Sequence, residues 1–169
     1  LKENMLFIGK MKMDFSSVFS RLGAKYLAYE KPSMAHDAAR VSLQLNPRNA
    51  HAIAVAGRSA LRLGMKDEAL STLREGISMS PDSEDLWSAL GETQEASGDV
   101  FGAIESYNRA LAINPEAVRY YDRILAHTPK DLNLIKRKAT TLIRLRRYEE
   151  AARSYEDGIE IDAKDKDLW

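Results

Sequence analysis

Few side chains in this sequence of 169 residues have a type and spacing that supports catalysis or metal binding. The histidines are His36, His51 and His127, and none is spaced with a carboxylate or cysteine as metal ligands are. Because the sequence has no cysteine, disulfides and thiol chemistry are excluded. Residues 98–103 (GDVFGA) contain two glycines but lack the pattern of a phosphate-binding loop. We therefore predict no enzyme, no cofactor and no metal.

Charged clusters also have explanations other than catalysis. The acidic pairs Asp67/Glu68 and Glu149/Glu150 fall where helices are predicted to begin, and there they oppose the helix dipole favourably. A basic cluster comprises Lys130, Lys136, Arg137, Lys138, Arg144, Arg146 and Arg147. Basic helices can follow phosphates, but acidic residues come next and no aromatic residues are interleaved for base stacking. We favour a solvated helix face, do not expect nucleic acid as a partner, and keep self-association as an alternative.

Proline, alanine and glycine recur with a period of 34 residues. The prolines are Pro47, Pro81 and Pro115, each with an alanine twelve residues earlier and a glycine twenty-four residues earlier. A bulky apolar residue stands four residues before each glycine. A fixed period between 20 and 50 residues is typical of stacked, identical supersecondary units. Such stacks offer long surfaces rather than closed pockets.

The repeated residues resemble the tetratricopeptide repeat, whose pattern is Trp, Leu, Gly, Tyr, Ala, Phe/Tyr, Ala and Pro at fixed offsets. In residues 84–117 these places hold Trp87, Leu90, Gly91, Gln94, Ala103, Tyr107, Ala110 and Pro115. Residues 16–49 and 50–83 match in register, and 132–165 match more loosely, with Lys138 in the leucine place. The resemblance implies an all-α protein, an α-α superhelix that stacks antiparallel helix pairs.

Apolar spacing supports two amphipathic helices in each unit. Gly23, Gly57 and Gly91 lie inside the predicted first helices, where glycine costs about 1 kcal/mol relative to alanine. We infer that the second helix, with its repeated alanine, approaches closely at these glycines. Gly64 and Gly98 fit helix ends that turn into the left-handed region.

The period is broken once, after Pro115. Pro129 follows only 14 residues later, and Ala117 stands at the place of a second-helix alanine. Residues 118–131 are therefore predicted as an irregular half-repeat. Its irregularity lies near 117–128, where a second helix is predicted without the first helix that normally precedes it. The first helix is either naturally absent or left out of this sequence. We expect two subdomains to meet here, and we keep a homo-oligomer or a domain swap that supplies the missing helix as partner predictions.

Both ends are predicted to belong to a longer array. Residues 1–15 are predicted as a partial preceding helix, and residues 166–169 as the start of a next repeat, with Trp169 in its tryptophan place. No apolar run reaches the roughly 18 residues of a membrane helix, and the formal net charge is zero. We expect no membrane association and take the cytoplasm as the default location.

The resemblance also implies a binding surface, because the concave face of tetratricopeptide arrays is lined by the first helices. That surface would be apolar, then basic, then acidic, and basic again after the break. Its candidate residues are His51, Arg58, Leu61, Arg62, Asp85, Ser88, Glu92, Glu95, Lys136, Thr140 and Arg144. Arg58 and Arg62 are predicted to be the main anchors of a peptide, because arginine can fork onto a carboxylate.

Arg58 has a second interpretation that involves no ligand. Arg58 and Glu92 occupy the same place in adjacent units, so they can pair across the stack. The family's chaperone-tail subclass uses a lysine, asparagine and arginine clamp on these helices. Ser20 and Ala24 stand in the first unit's clamp places, so we do not expect that ligand.

The sequence thus predicts a non-catalytic scaffold that binds a peptide or a protein segment in its concave groove. The alternatives are a helical-repeat arm of a larger enzyme or assembly, for example a substrate-positioning region, and a self-associating repeat module.

Overall fold

A computed structural model describes the backbone of residues 2–162 and the side chains of residues 6–162. All regular secondary structure in these residues is helical, which confirms the all-α prediction. The helices are α1 (Lys2–Ala28), α2 (Pro32–Leu45), α3 (Ala50–Arg62), α4 (Lys66–Met79), α5 (Glu84–Ser97), α6 (Val100–Ile113), α7 (Val118–His127), α8 (Leu132–Arg144) and α9 (Tyr148–Ile161).

The chain divides into two compact units, Leu1–Ser106 and Tyr107–Trp169. In the first unit, α1 packs against α2 and α3 packs against α4 as consecutive pairs. The first helices of the pairs, α1, α3 and α5, lie side by side. In the second unit, α8 packs against α9 and α7 contacts α8. The boundary falls within α6, before the predicted half-repeat.

Two glycines, Gly23 and Gly57, mark places where neighbouring helices approach closely. A Cβ atom built on Gly23 would lie 3.2 Å from the carbonyl oxygen of Ala35 and 2.8 Å from a methyl carbon of Val55. A Cβ built on Gly57 would lie 2.6 Å from Cγ of Leu73. The close approach is confirmed at both positions, because neither leaves room for a side chain. Ala35 is the predicted partner of Gly23, whereas Leu73 fills the space at Gly57.

Each turn from a first to a second helix contains one residue in the left-handed region. Gly64 and Gly98 have φ of 81° and 82°, which confirms the predicted helix ends. Glu30 and Arg146 stand at the same place in their own units and have φ of 54° and 59°. The two turns without glycine therefore adopt a conformation that a side chain disfavours by roughly 1–2 kcal/mol.

Replacing Glu30 by glycine is expected to raise the free energy of unfolding by about 0.5–1 kcal/mol. Relief of the left-handed strain exceeds the entropy that glycine adds to the unfolded chain. Glu30→Ala is the control, since alanine keeps the strain and should leave the melting temperature nearly unchanged. Thermal unfolding followed by circular dichroism measures both. A glycine variant that melts below the parent protein would contradict the role given to this turn.

Helix α1 differs from the prediction of a separate partial helix over residues 1–15. It is one continuous helix from Lys2 to Ala28 that extends the predicted first helix of residues 16–49. No proline interrupts it, and Gly9 lies mid-helix, where glycine weakens a helix without ending it. Side chains 6–15 are exposed, and the first buried one is Ser16. The predicted next repeat at 166–169 lies outside the described residues.

The second unit contains a single helix, α7, between α6 and α8. The Tyr120 ring stacks on the Tyr107 ring with centroids 6.1 Å apart, and both residues are almost fully buried. Lys138, which stands in the leucine place, extends its ammonium group to Asp122 of α7, with an Nζ–Oδ1 distance of 2.7 Å. The assignment of α7 as a second helix without its first stays a prediction.

Candidate peptide-binding groove

The accessible side of α3 coincides with the predicted binding surface. The helix begins after Asn49, whose side chain accepts a hydrogen bond from the backbone N–H of Ala52 at 3.1 Å, as an N-cap should. Eight of the thirteen residues of α3 are buried. The residues that keep some exposure are Ala50, His51, Arg58, Leu61 and Arg62. Four of these five belong to the predicted site, and their spacing places the last three on one face of the helix.

Polar side chains of α3 and α5 form one network across adjacent repeats. Arg58 Nε donates to Glu92 Oε2 at 3.0 Å, and its Nη2 donates to Ser88 Oγ at 3.1 Å. Its Nη1 lies 3.8 Å from Asp85 Oδ1. His51 Nδ1 lies 2.8 Å from Asp85 Oδ2. The interpretation of Arg58 and Glu92 as a pair across the stack is confirmed.

Arg58 therefore supports the groove rather than offering a free anchor. Its side chain is only 22% exposed and lies between Asp85 and Glu92. A ligand carboxylate would have to displace Glu92 in order to form a forked pair with this guanidinium. We expect a ligand to contact the network as a preformed polar surface, since each member already has a partner.

Arg62 is exposed, one helical turn beyond Arg58. It forms no ion pair with any other residue in the described part of the chain. The same place holds Ala28 in α1 and Ala96 in α5, and both alanines are exposed. Nearby, Lys66 Nζ donates to the carbonyl oxygen of Ala96 at 2.6 Å. The end of α3 thus presents an exposed guanidinium, with small exposed side chains at the same place in both adjacent first helices.

The remaining groove candidates fall into two groups. In the first unit, Leu61 and Glu95 are half-buried, and they occupy the same place in adjacent repeats. In the second unit, Lys136, Thr140 and Arg144 share one face of α8, since they are four residues apart. Thr140 Oγ1 donates to the carbonyl oxygen of Lys136 at 2.9 Å, and Arg144 is exposed. Their role in binding stays a prediction.

Part of the basic cluster of the second unit is paired within the protein. Arg147 forms a double hydrogen bond with Glu150, at 2.7 and 2.6 Å, which holds the pKa of the Glu150 carboxyl below its ordinary value. Lys138 pairs with Asp122, and the Arg137 guanidinium lies 5.8 Å from the centre of the Tyr121 ring. These pairings favour the solvated helix face over a phosphate-binding surface. The prediction that nucleic acid is not a partner stays untested.

Two features are absent from the described residues. No group of three or more histidine, aspartate and glutamate side chains there is arranged to hold a metal ion. None of the helices in that part of the chain is long and apolar enough to cross a membrane.

Comparison with known proteins identifies the family. Models of the tetratricopeptide repeat match residues 55–118 and residues 137–165, and together these matches cover more than half of the chain. The chain belongs to the tetratricopeptide repeat family. These matches confirm the family prediction. Because tetratricopeptide domains are generally non-enzymatic protein-interaction modules, the matches also support the scaffold class.

Relatives of this tetratricopeptide chain include one curated protein and several solved structures. The chain is 27% identical over 171 residues to a DnaJ homolog subfamily C member 7 homolog of Schizosaccharomyces pombe. That match covers 80% of this chain and 35% of the relative, so the chain spans about a third of that protein's length.

Two solved structures have the same fold. A thermophilic tetratricopeptide protein of Thermus thermophilus superposes with a TM-score of 0.55 at 19% identity, over 90% of this chain and 94% of that one. The first tetratricopeptide domain of Spaghetti (RPAP3), bound to the HSP90 peptide SRMEEVD, gives a TM-score of 0.61 at 18% identity. That superposition covers 69% of this chain and 93% of the other. At these identities the likeness shows the fold alone.

Proposed function

We propose that the first unit binds an extended peptide, or a segment of a partner protein, along the inner face of α1, α3 and α5. The proposal rests on the side chain of Arg62, which is exposed on the accessible side of α3. Ala28 and Ala96, which stand at the same place in α1 and α5, are also exposed. The peptide bound to the RPAP3 domain supports the binding mode, since that domain shares the fold.

The charges of the surface define the ligand that would fit. Arg62 favours a carboxylate, which it can bind through two parallel N–H donors. Arg58 lies between Asp85 and Glu92, so one guanidinium faces two carboxylates in the network. A basic residue of the ligand would lie beside these carboxylates. We therefore propose a ligand segment that carries an acidic and a basic side chain a few residues apart.

The test begins with a peptide library screened against the whole chain. We expect Arg62→Glu to weaken the selected peptides at least tenfold, which corresponds to about 1.4 kcal/mol. Arg74→Glu is the matched control, because Arg74 is an exposed arginine on the second helix α4. The Arg74→Glu variant should bind the selected peptides with the affinity of the parent protein. Changing the acidic residue of a selected peptide to lysine should restore binding to Arg62→Glu.

Two outcomes would remove this proposal. One is a library that yields no binder; the other is binding that is indifferent to the charge reversal at Arg62. The alternative of a helical-repeat arm in a larger enzyme stays a prediction, as do the absence of catalysis and the cytoplasmic location. In such an arm, the same inner face would position a substrate segment.

A further inference from the structure

Helix α1 carries a second apolar stripe on its exposed side. The stripe, here called the N-terminal seam, comprises Ile8, Met11, Phe15, Val18 and Leu22, which are 49%, 43%, 52%, 51% and 36% exposed. Their spacing alternates between three and four residues, which is the a/d spacing of a coiled-coil helix. Contiguous exposed apolar surface of this kind marks an interaction site on a soluble protein.

The packing of α1 in its own unit leaves the seam open. Ser16 Oγ donates to the carbonyl oxygen of Ser42 at 3.0 Å, and Ser42 Oγ donates to that of Ser16 at 2.7 Å. Asn49 Nδ2 donates to Ser16 Oγ at 2.8 Å. These buried contacts, with the close approach at Gly23, fix a different side of α1. The seam therefore faces away from α2 and α3 along most of its length.

The C-terminal part of the seam continues into a groove between α1 and α2. The groove has a volume of about 260 Å³. Its lining is apolar except for one carboxylate at the edge and consists of Phe19, Leu22, Tyr26, Met34, Asp37, Ala38 and Val41. Met34 is 45% exposed, so apolar surface of α2 adds to that of α1. A helix laid on the seam would bury its apolar side chains in this groove.

The charges of α1 select the occupant. Between residues 6 and 25, α1 has four basic side chains and one acidic one, which are Lys10, Lys12, Arg21, Lys25 and Asp14. Arg21 and Lys25 line the same surface depression as Val18 and Leu22. A second copy of α1 would bring the same excess positive charge against them, and like charges across such a seam disfavour pairing. A helix with acidic flanks would be attracted.

We infer that the N-terminal seam docks an amphipathic helix of a partner protein whose apolar face is flanked by aspartate or glutamate. The seam does not include Ala28, the residue of α1 at the place of Arg62 on the inner face, so it forms a second interaction site on a different side of α1. Burial of the apolar side chains of the seam provides the affinity. The basic side chains of Arg21 and Lys25 provide the specificity for an acidic partner.

Two synthetic 21-residue helices test this inference, both with leucine and isoleucine at the a and d positions. One has glutamate at the e and g positions and the other has lysine. We expect the glutamate helix to bind the whole chain, with an affinity that falls as salt is added. The lysine helix should bind at least tenfold more weakly. Fluorescence anisotropy of labelled helices measures both.

Variants of α1 locate the binding surface. Met11→Glu combined with Phe15→Glu should abolish binding of the glutamate helix. Met13→Glu is the matched control, because Met13 is 62% exposed on another side of α1. Its binding should be unchanged. Arg21→Glu combined with Lys25→Glu should reverse the preference between the two synthetic helices.

Three results would overturn the inference. They are equal binding of the two helices, binding of neither, and a parent chain that sediments as a dimer and becomes a monomer on Met11→Glu. The last result would identify a second copy as the occupant. Arg62→Glu should leave binding of the glutamate helix unchanged, so the groove proposal and the seam proposal can fail separately.

Discussion

Replacing Gly23 by leucine is expected to lower the free energy of unfolding by roughly 1–3 kcal/mol, because the new side chain overpacks the contact between α1 and α2. Its Cβ would lie 3.2 Å from the backbone oxygen of Ala35, which cannot rotate away as a side chain can. Chemical denaturation of the purified variant measures the loss. Because Gly23 lies where α1 packs against α2, the loss of stability tests the pairing of these two helices.

Gly9→Leu is the control for Gly23→Leu, since both glycines lie in α1. Apart from the adjacent backbone of α1 itself, no atom of the described residues lies within 4 Å of a Cβ built on Gly9. Leucine has the higher helix propensity, so this variant should be as stable as the parent protein or slightly more stable. Equal losses at the two positions would show that helix propensity, and not close packing, accounts for the glycine at position 23.

Tyr120→Ala should have the largest effect on the second unit, a loss of roughly 3–5 kcal/mol. Tyr120 is 1% exposed, and its ring stacks on Tyr107, so alanine leaves a cavity between α6 and α7. Amide hydrogen exchange measures the loss, and we expect α7 amides to lose their protection first. Tyr120→Phe keeps the ring and should cost much less. An alanine variant with undiminished protection of α7 would contradict this packing.

Much of the fold could be predicted from the period of 34 residues, because glycine and proline punctuate helices in a way that is visible in sequence. Gly64 and Gly98 mark their turns for this reason. Glu30 and Arg146 adopt the same left-handed conformation without glycine, so nothing in their residue type reveals it. Those two turns form because the helices on either side pack together, which depends on residues distant in sequence.

The continuity of α1 could not be predicted for a related reason. The repeat pattern begins at residue 16, so it assigns residues 1–15 to a different unit from residues 16–49. The seam crosses that boundary, and its stripe from Ile8 to Leu22 is therefore divided between two predicted elements. Helix α1 continues across residue 16 because no proline or other helix-ending residue stands there, although the repeat pattern begins at that residue.

The candidate site was partly predictable, because equivalent places in adjacent repeats lie side by side. Register alone suggests the pair of Arg58 and Glu92, and His51 and Asp85 have the same separation of 34 residues. The contact of Lys66 with the carbonyl oxygen of Ala96 could not be predicted in this way, because its acceptor is a backbone group at a helix end. The exposure of Arg62 likewise depends on how the helices lie.

Ligand binding along the inner face of the first helices is tested most directly by amide chemical-shift mapping of the chain with a library-selected peptide. We expect the largest shifts along α3 and α5, at His51, Arg62 and Glu95, and little change along α4. Shifts confined to α4, or spread evenly over the chain, would contradict binding on the inner face.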